Sequence, residues 1–427
     1  MNKLTYEARQ WSSIYTILVI LLLIACNTTR TEEKENDQIS NETNKSFISY
    51  HEDVTFLEKY TDIIQLSDPS GSGKVALSPA LQGRVMTSSS SGAPGRSYGW
   101  INRGLFESGD TLEHINVFGG EERFWLGPEG GQFSIFFKNG QEFNLETWQT
   151  PRLIDLEPFE VKEATTEKVV FTKTASLTNY SGFVFELGIE REIAILSNDE
   201  IKGELGLDQL DGIKAVGYQT TNILTNMGDD DWKKETGLLS IWLLGMFNPS
   251  PETTVIVSYI AGDETALGKP VNDEYFGKVP AERLIVKEEV IYFKGDGQFR
   301  SKIGLLPTRA KNVLGSYDAS SKTLTIVKYN KPDEVVDYVN SLWEIQDAPY
   351  AGDVVNSYND GSPEPGAKPL GPFYELETSS PALALKAGEQ GIHIQMTCHF
   401  EGNVEALDRI TQKVLGVSIE EIATAFK

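Results

Sequence analysis

The residues best suited to chemistry are charged and aromatic side chains set among glycines at positions 116–151. Glu121, Glu122, Arg123, Trp125 and Glu129 lie close together in this segment. Carboxylates and a guanidinium can bind polar groups or exchange protons, while an indole face packs on apolar surface. Glycines let the main chain approach a ligand closely. The segment therefore predicts a binding loop, with an ordinary glycine-rich turn carrying solvated charges as the alternative.

Three further side chains extend this set. His114 precedes the glycine-rich loop, and Trp148 follows it. Trp125 and Trp148 could each stack on the apolar face of a pyranose, although most tryptophans are simply core residues. Arg84 and Arg123 could hold a sugar hydroxyl or a carboxylate, and a structural ion pair with a neighbouring glutamate is the alternative.

A second group of chemical residues lies near the C-terminal end of the chain. In a strand, His393 and His399 share one face, and Glu375 and Glu377 share one face of another. A polar face of this kind could line a pocket and supply an acid. The alternative for the histidines is a structural role at a sheet edge, with hydrogen-bonded rings.

Carboxylates in these two groups also raise the question of metal binding. Glu121, Glu122 and Glu129, with the two glutamates near the C-terminus, could bind calcium through their oxygens. The oxygen-rich residues 353–361 form a second calcium candidate, with an Asx-type turn as the alternative. We assign no metal ligand. Cys398 has no C-x-x-C partner, which excludes a disulfide or zinc framework and favours a buried thiol.

The segments that must position these residues have the sequence pattern of β-strands. Short alternating apolar runs, punctuated by turn residues, occur at 75–78, 168–173, 184–189, 253–260 and 323–329. A strand is also expected at 133–137, closed by a turn at Asn139 and Gly140. We expect helices at 333–343 and within 401–427, the latter with a capping box from Ser418 to Glu421. This pattern predicts an all-β domain at 46–402 with a helical tail at 403–427.

The N-terminus has features of export. An apolar run at 14–25 is too short for a mature membrane span and is typical of a signal peptide. Its ending, L-I-A-C, resembles a bacterial lipobox, so residues 1–26 are expected to be a lipoprotein signal peptide with Cys26 lipidated. Residues 27–45 are polar and acidic, which predicts a flexible tether. The expected location is the cell envelope, facing the periplasm or the outer surface.

The charge balance limits the classes of partner. Acidic residues number 62 against 38 basic ones, which gives a net charge of −24. Nucleic acids are therefore excluded as partners, because phosphate contacts depend on Lys and Arg. No P-loop, dinucleotide fingerprint, metalloprotease helix or nucleophile elbow is present in the sequence. The expected partners are a carbohydrate ligand and, through the lipid anchor, a membrane.

Several motifs resemble those of the galactose-mutarotase-like superfamily, whose members fold as a β-supersandwich. They are the strand at 77–86, the G-G-E loop at 119–121, the P-E-G loop at 127–131, the apolar strand at 237–247, and the E-L-E…S-P segment at 373–381 with L-K-A-G-E at 385–389. The whole chain also resembles an uncharacterised family of bacterial lipoproteins. The resemblance covers roughly residues 70–400 and implies an all-β supersandwich with short C-terminal helices.

The resemblance also implies a chemistry. Mutarotases use a glutamate base and a histidine acid to open and close a sugar ring, and Glu375 matches the position of the base. No histidine lies between His114 and His393, so His399 or His393 is expected to supply the acid. The chain is thus predicted to bind or process carbohydrate. The alternatives are a non-catalytic glycan-binding lipoprotein or a structural envelope protein. No cofactor is expected other than calcium.

Overall fold

The computed structural model describes residues 47–364 and 366–427, in which β-strands dominate. The predictions for the signal peptide, the lipidated Cys26 and the tether concern residues outside these ranges. The strands are β1 (Ile64–Ser67), β2 (Lys74–Ser78), β3 (Arg84–Ser89), β4 (Arg123–Gly127), β5 (Glu160–Ala164), β6 (Lys168–Thr178), β7 (Val184–Leu196), β8 (Ile213–Asn226), β9 (Ser240–Phe247), β10 (Thr253–Tyr259), β11 (Leu284–Lys287), β12 (Val290–Lys294), β13 (Ser301–Leu305), β14 (Ala310–Asp318), β15 (Thr323–Tyr329), β16 (Val355–Asn359), β17 (Tyr374–Ser379) and β18 (Gln390–Gly402). The five alternating runs recognised in the sequence all fall on these strands, because strand periodicity is a local property.

The helices are short and lie at the edges of this β-structure. They are α1 (Tyr50–Leu57), α2 (Arg103–Ser108), α3 (Arg152–Asp155), α4 (Asn198–Leu205), α5 (Glu264–Leu267), α6 (Val404–Val414) and α7 (Ile419–Thr424). The C-terminal helices and the capping box from Ser418 to Glu421 are as predicted. Within the ranges that the structure describes, no helix is long and apolar enough to cross a bilayer.

Two antiparallel sheets form the body of the fold, and a third, smaller one adjoins them. The large sheet has the order β11-β12-β10-β14-β15-β18-β8-β7-β6-β5, and the small sheet has the order β13-β16-β17-β9-β4. Strands β1, β2 and β3 form the third sheet. The predicted all-β sandwich with short C-terminal helices is therefore confirmed.

The main core lies between the large and small sheets. Phe124 and Leu243 of the small sheet pack in one cluster with Phe171, Ile193 and Val216 of the large sheet. A second cluster joins the two sheets nearer β10 and β14. On its other face, the large sheet is covered by apolar side chains of α4, α6 and α7. The small sheet therefore buries one face in the core and has its other face available for a site.

Two local predictions are wrong. Residues 133–137 are not a strand, because Ile135 bonds back to the Pro128 carbonyl (3.2 Å) and the segment turns on itself. Residues 333–343 are not a helix, because their main chain bonds to 349–352, as in Asn340 N–H to the Pro349 carbonyl (2.8 Å). In both cases a tertiary partner overrides the local apolar spacing.

Candidate functional site

A cavity of about 1210 Å³ lies on the outer face of the small sheet. Strand alternation builds its floor, because every second residue of a strand points to the same face. In β9, for example, Ser240, Trp242, Leu244 and Met246 line the cavity, while the residues between them face the core. The other floor residues on strands are Arg123, Trp125 and Gly127 of β4, Lys302 of β13, Asn356 and Tyr358 of β16, and Glu375 and Ser379 of β17.

Loops supply the walls. They come from residues 112–117, 145–148, 269–276, 339–343, 351–353, 360–363 and 368–373. The segment at 339–343 is part of the stretch that was predicted as a helix, and in its extended form it brings Trp343 to the cavity. The floor is therefore fixed by sheet geometry, whereas the walls depend on loop sequence.

Two ion pairs dominate the charge at the floor. Arg123 pairs closely with Glu375, and Lys302 Nζ lies 2.9 Å from Glu377 Oε2. Burial raises the pKa of Glu375 to about 8, although Arg123 acts in the opposite direction. Burial alone would lower the pKa of Lys302, but Glu377 and Glu129 outweigh it and raise that pKa. Glu375 can thus change protonation near neutral pH, as the sequence analysis required of a base.

Glu129 provides a second carboxyl group in the cavity with a perturbed pKa. Burial raises its pKa from the ordinary value of 4.5 to about 7. Lys302 and the indoles of Trp148 and Trp343 act in the opposite direction. The loop holds Glu129 in place, since its main-chain N–H donates to the Ser341 hydroxyl (3.1 Å). Two carboxyls in one cavity therefore have pKa values close to neutral pH, which is unusual outside functional sites.

Aromatic side chains form much of the remaining surface. Trp125 and Trp242 meet edge to face, with ring centroids 5.6 Å apart. Trp148 stacks on Phe136 at 5.9 Å and on Trp343 at 5.9 Å. Trp242 belongs to the main core cluster and also lines the cavity, where its Nε1–H donates to Glu377 Oε2 (3.0 Å).

Some buried polar atoms at the cavity lack a protein partner. The indole N–H of Trp125 and the hydroxyl of Ser240 are buried, and neither has a hydrogen bond within the described ranges. An unpaired buried polar group costs about 1–3 kcal/mol, so such groups usually find a partner in solvent or a ligand. Both residues line the cavity.

His114 is the histidine that lines the cavity in the described part of the chain. Its Nδ1 lies 2.7 Å from the main-chain carbonyl oxygen of Trp148. The amide nitrogen of Gln149 lies 3.0 Å from the same Nδ1. A carbonyl oxygen only accepts and an amide N–H only donates, so the tautomer of the ring decides which of the two contacts is a hydrogen bond. His114 thus brings an imidazole to the cavity wall, whereas His393 and His399 lie elsewhere.

Five other predicted site residues lie away from the cavity, buried in the interior of the fold. They are Arg84, Glu121, Glu122, His393 and His399. His393 Nε2 lies 2.8 Å from the Thr378 hydroxyl, and His399 Nε2 lies 3.0 Å from Glu121 Oε2. The two histidines do share one face of β18, but that face points to the core. The structure therefore brings Glu375 to the cavity without either expected acid.

These interior residues form a polar layer within the apolar core. Glu122 pairs with Arg191 at 2.8 Å, and both are fully buried. Gln395 donates to the same carboxylate at 2.8 Å. Burial raises the pKa of Glu122, and Arg191 acts in the opposite direction. Arg84 is also held internally, donating to the Gly119 carbonyl at 3.0 Å, and burial lowers its pKa to about 9. This layer fixes the G-G-E loop in place and does not contact the cavity.

Calcium receives no support from the geometry. No group of three or more His, Cys, Asp or Glu side chains suited to a metal ion occurs in the described ranges. The oxygen-rich segment at 353–361 is mostly strand β16, in which Asn359 is directed to main-chain and side-chain partners. Asp353 instead pairs closely with the Tyr275 hydroxyl.

Comparison with known proteins places the chain in a family. Residues 48–426 match the family of unknown function DUF6786. The chain belongs to this family. None of the curated proteins compared with the chain matches it.

The chain is also similar to several solved structures. One is a galactose mutarotase-like protein from Lactobacillus casei, with 13% identity, 80% of this chain and 100% of that chain covered, and a TM-score of 0.45. Another is a galactose mutarotase related enzyme from Lactobacillus acidophilus, with 10% identity, 80% and 97% covered, and a TM-score of 0.42. A third is the Slr1438 protein from Synechocystis, with 12% identity, 81% and 98% covered, and a TM-score of 0.44.

Several cavity residues were not recognised in the sequence. Lys302, Tyr275, Arg300 and Trp343 all line the cavity, yet none lies in a motif. For Lys302 the sequence does contain a signal. It is a charged residue within a short strand-like run, and in such a run a polar residue marks the face turned away from the core.

Proposed function

We propose that the cavity binds carbohydrate and that its carboxyl groups exchange protons with the bound sugar. The observation that carries this proposal is the floor, where Trp125 and Trp242 lie beside the Arg123–Glu375 ion pair. A pyranose has an apolar face and a rim of hydroxyls, so it is complementary to an aromatic surface flanked by charged hydrogen-bonding groups.

Proton exchange is supported by the pKa values of the cavity carboxyls. A general acid or base works best with a pKa near the working pH, and those of Glu375 and Glu129 are raised to about 8 and about 7. The imidazole of His114, at the cavity wall, is a third group able to exchange a proton. The proposed base is Glu375, as the family resemblance implies, and the proposed partner is Glu129 or His114 in place of His399 and His393.

The size of the cavity supports a ligand larger than one sugar unit. Pockets for small molecules usually measure about 300–1,000 Å³, and this one is about 1210 Å³. An oligosaccharide or a substituted sugar fits such a volume better than a free hexose does.

One observation favours the alternative of a non-catalytic glycan-binding protein. The carboxylate of Glu375 is already engaged by Arg123, in a pair whose side chains are only 4% and 7% exposed. A base must have a free lone pair for the substrate proton. If Arg123 keeps its position when sugar binds, Glu375 orients the ligand and does not take its proton.

We also propose that the protein is an envelope lipoprotein anchored through Cys26. The lipobox-like ending and the acidic tether support this assignment. Metabolic labelling with a radioactive fatty acid, in the full chain and in Cys26→Ala, tests it. Incorporation should be lost in the variant, and equal labelling of both chains would refute it.

The carbohydrate proposal is tested by calorimetric binding of mono- and oligosaccharides, followed by NMR exchange between anomers for each sugar that binds. Glu375→Gln keeps the shape of the side chain and should slow exchange by a factor of about 100 or more. Glu401→Gln is the matched control, because Glu401 pairs with Arg96 at 3.2 Å and does not line the cavity.

The outcomes of these measurements distinguish an enzyme from a non-catalytic glycan-binding protein. Binding with accelerated exchange that is lost in Glu375→Gln supports the enzyme. Binding without accelerated exchange in the unmodified chain supports the glycan-binding alternative. If no sugar binds, the carbohydrate proposal is refuted.

A further inference from the structure

The basic residues that line the cavity fall into two groups. At the floor, Arg123 and Lys302 are each paired with a glutamate. Lys269, Arg300 and Lys368 also line the cavity, and none of the three forms an ion pair within residues 47–364 and 366–427; the two lysines are exposed, whereas Arg300 is half-buried. In a chain with 62 acidic residues against 38 basic ones, three unpaired cations in one cavity need an explanation.

Arg300 has the most defined position of the three. It directly precedes β13 and lies two residues before Lys302, so the two side chains share the cavity face of the sheet. The Arg300 guanidinium lies 3.9 Å from the ring centroid of Phe276. Stacking of this kind holds the guanidinium plane while its N–H groups stay free along the edge. Arg300 is half-buried, so it is partly desolvated and yet accessible from the cavity.

Three aspartates that line the cavity are engaged by partners other than Arg300. Asp360 accepts hydrogen bonds from the Tyr358 hydroxyl (2.9 Å) and the Gly371 N–H (2.9 Å). Asp353 is paired closely with the Tyr275 hydroxyl. Asp273 forms an ion pair with Lys278 at 2.7 Å. None of the three carboxylates therefore forms an ion pair with Arg300.

The raised pKa values of the carboxyl groups that line the cavity also favour an anionic ligand. Burial raises the pKa of Asp353 and of Asp360, as it does for Glu129 and Glu375. For Glu129 and Glu375, whose pKa values are raised to about 7 and about 8, this reduces the negative charge carried near neutral pH. The repulsion that an anionic ligand would meet in the cavity is lowered accordingly.

We propose that the Arg300 end of the cavity binds the anionic substituent of an acidic sugar, while the tryptophan floor binds its ring. This inference rests on the proposed carbohydrate function and names the substrate class for that site. The planar guanidinium matches a group with two or three anionic oxygens, which it can bind through two parallel hydrogen bonds. Such a group is the carboxylate of a uronic acid, or a sulfate or phosphate ester.

The test is calorimetric binding of four probes to the full chain: galactose, galacturonate, galactose 6-sulfate and galactose 6-phosphate, each also as an oligosaccharide where one exists. At least one acidic probe should bind about tenfold or more tightly than galactose, because hydrogen bonds to charged groups are worth that much. The acidic probe that binds most tightly identifies the source of the anion.

Arg300→Gln should remove this preference, so that the affinity for the best acidic probe falls about tenfold or more relative to that for galactose. Arg300→Lys should restore only part of it, since an ammonium keeps the charge and lacks the planar fork. Arg96→Gln is the matched control, because Arg96 is also half-buried but pairs with Glu401 outside the cavity. Thermal unfolding of each variant verifies that it is folded.

Two results would overturn the inference, and they differ from the failure of the proposed function. Equal affinity for neutral and acidic probes, or an unchanged preference in folded Arg300→Gln, refutes the anionic subsite and leaves carbohydrate binding in place. Binding of none of the probes refutes both.

Discussion

Glu122 offers a sharp test of the division between the cavity and the interior of the fold. It belongs to the G-G-E motif and was predicted to bind substrate, yet its carboxylate is fully buried and pairs with Arg191 at 2.8 Å. We predict that Glu122→Gln destabilises the fold and leaves sugar binding intact. Glu375→Gln, at the cavity, should do the opposite.

The magnitude follows from the burial of the pair. Removing one partner of a buried ion pair costs about 3–5 kcal/mol, because the other charge is left uncompensated. Unfolding entropy is about 2.1 cal/mol/K per residue, or roughly 0.8 kcal/mol/K for the unit at 47–427. Glu122→Gln should therefore lower Tm by roughly 4–6 °C. The double variant Glu122→Gln with Arg191→Met removes both charges and should recover much of this loss.

The assay is thermal unfolding of the two single variants and the double variant, with calorimetric sugar binding measured well below Tm. The double variant should lose much less stability than the sum of the two single losses, since each single substitution leaves a buried charge that the other removes. If Glu122→Gln keeps the original Tm but loses sugar binding, Glu122 acts in the site and the reasoning is refuted. If the two substitutions are additive, the ion pair does not account for the stability.

Three further predictions concern single groups. The pKa of Glu129 is raised from 4.5 to about 7 in the fold. Between these two pH values the folded state binds a proton that the unfolded state has lost, so the stability of the fold falls as pH rises from about 4.5 to about 7. Glu129→Gln removes this group, so its Tm should fall less over the same pH range. Cys398 is fully buried, and burial raises the pKa of its thiol, so a thiol reagent should label it only after denaturation. Ser418 caps α7 through a complete capping box, so Ser418→Ala should cost about 1 kcal/mol in urea unfolding.

Each of the predictions for Glu129, Cys398 and Ser418 can be contradicted by a specific result. Glu146→Gln, an exposed carboxylate at the same cavity, should leave the pH dependence of Tm unchanged. An identical slope in Glu129→Gln and the unmodified chain would contradict a raised pKa. Labelling of the native thiol at the rate of the denatured one would contradict its burial, and an unchanged urea midpoint in Ser418→Ala would contradict the cap.

Much of the fold could be predicted because its signals are local. Alternation in runs such as 168–173 requires no knowledge of distant residues, and the capping box at Ser418 is complete within four residues. Gly119 and Gly120, expected to allow unusual main-chain geometry, do have φ of +92° and +113°. At Gly119 a Cβ would lie 2.1 Å from the Trp100 carbonyl oxygen, so the close approach requires glycine.

The site could be predicted only in part because it depends on which face of which sheet meets the core. The spacing of His393 and His399 correctly places them on one face of β18, but their face is covered by the small sheet. The same reasoning placed Glu375 and Glu377 together, and their face lies at the cavity floor. Sequence periodicity gives the grouping of side chains, and only the stacking of the sheets decides which group a ligand can reach.

The separation between a floor made of strands and walls made of loops has a consequence for how this site can change. Strand β17 alternates Glu375 and Glu377 with Leu376, a core residue, so inserting one residue there would exchange the two faces. The loops at 112–117, 145–148 and 368–373 carry no such constraint and tolerate changes of length. Members of the family can therefore diverge in ligand by exchanging loops while keeping the same floor, and an engineer who wishes to alter specificity should start with those loops.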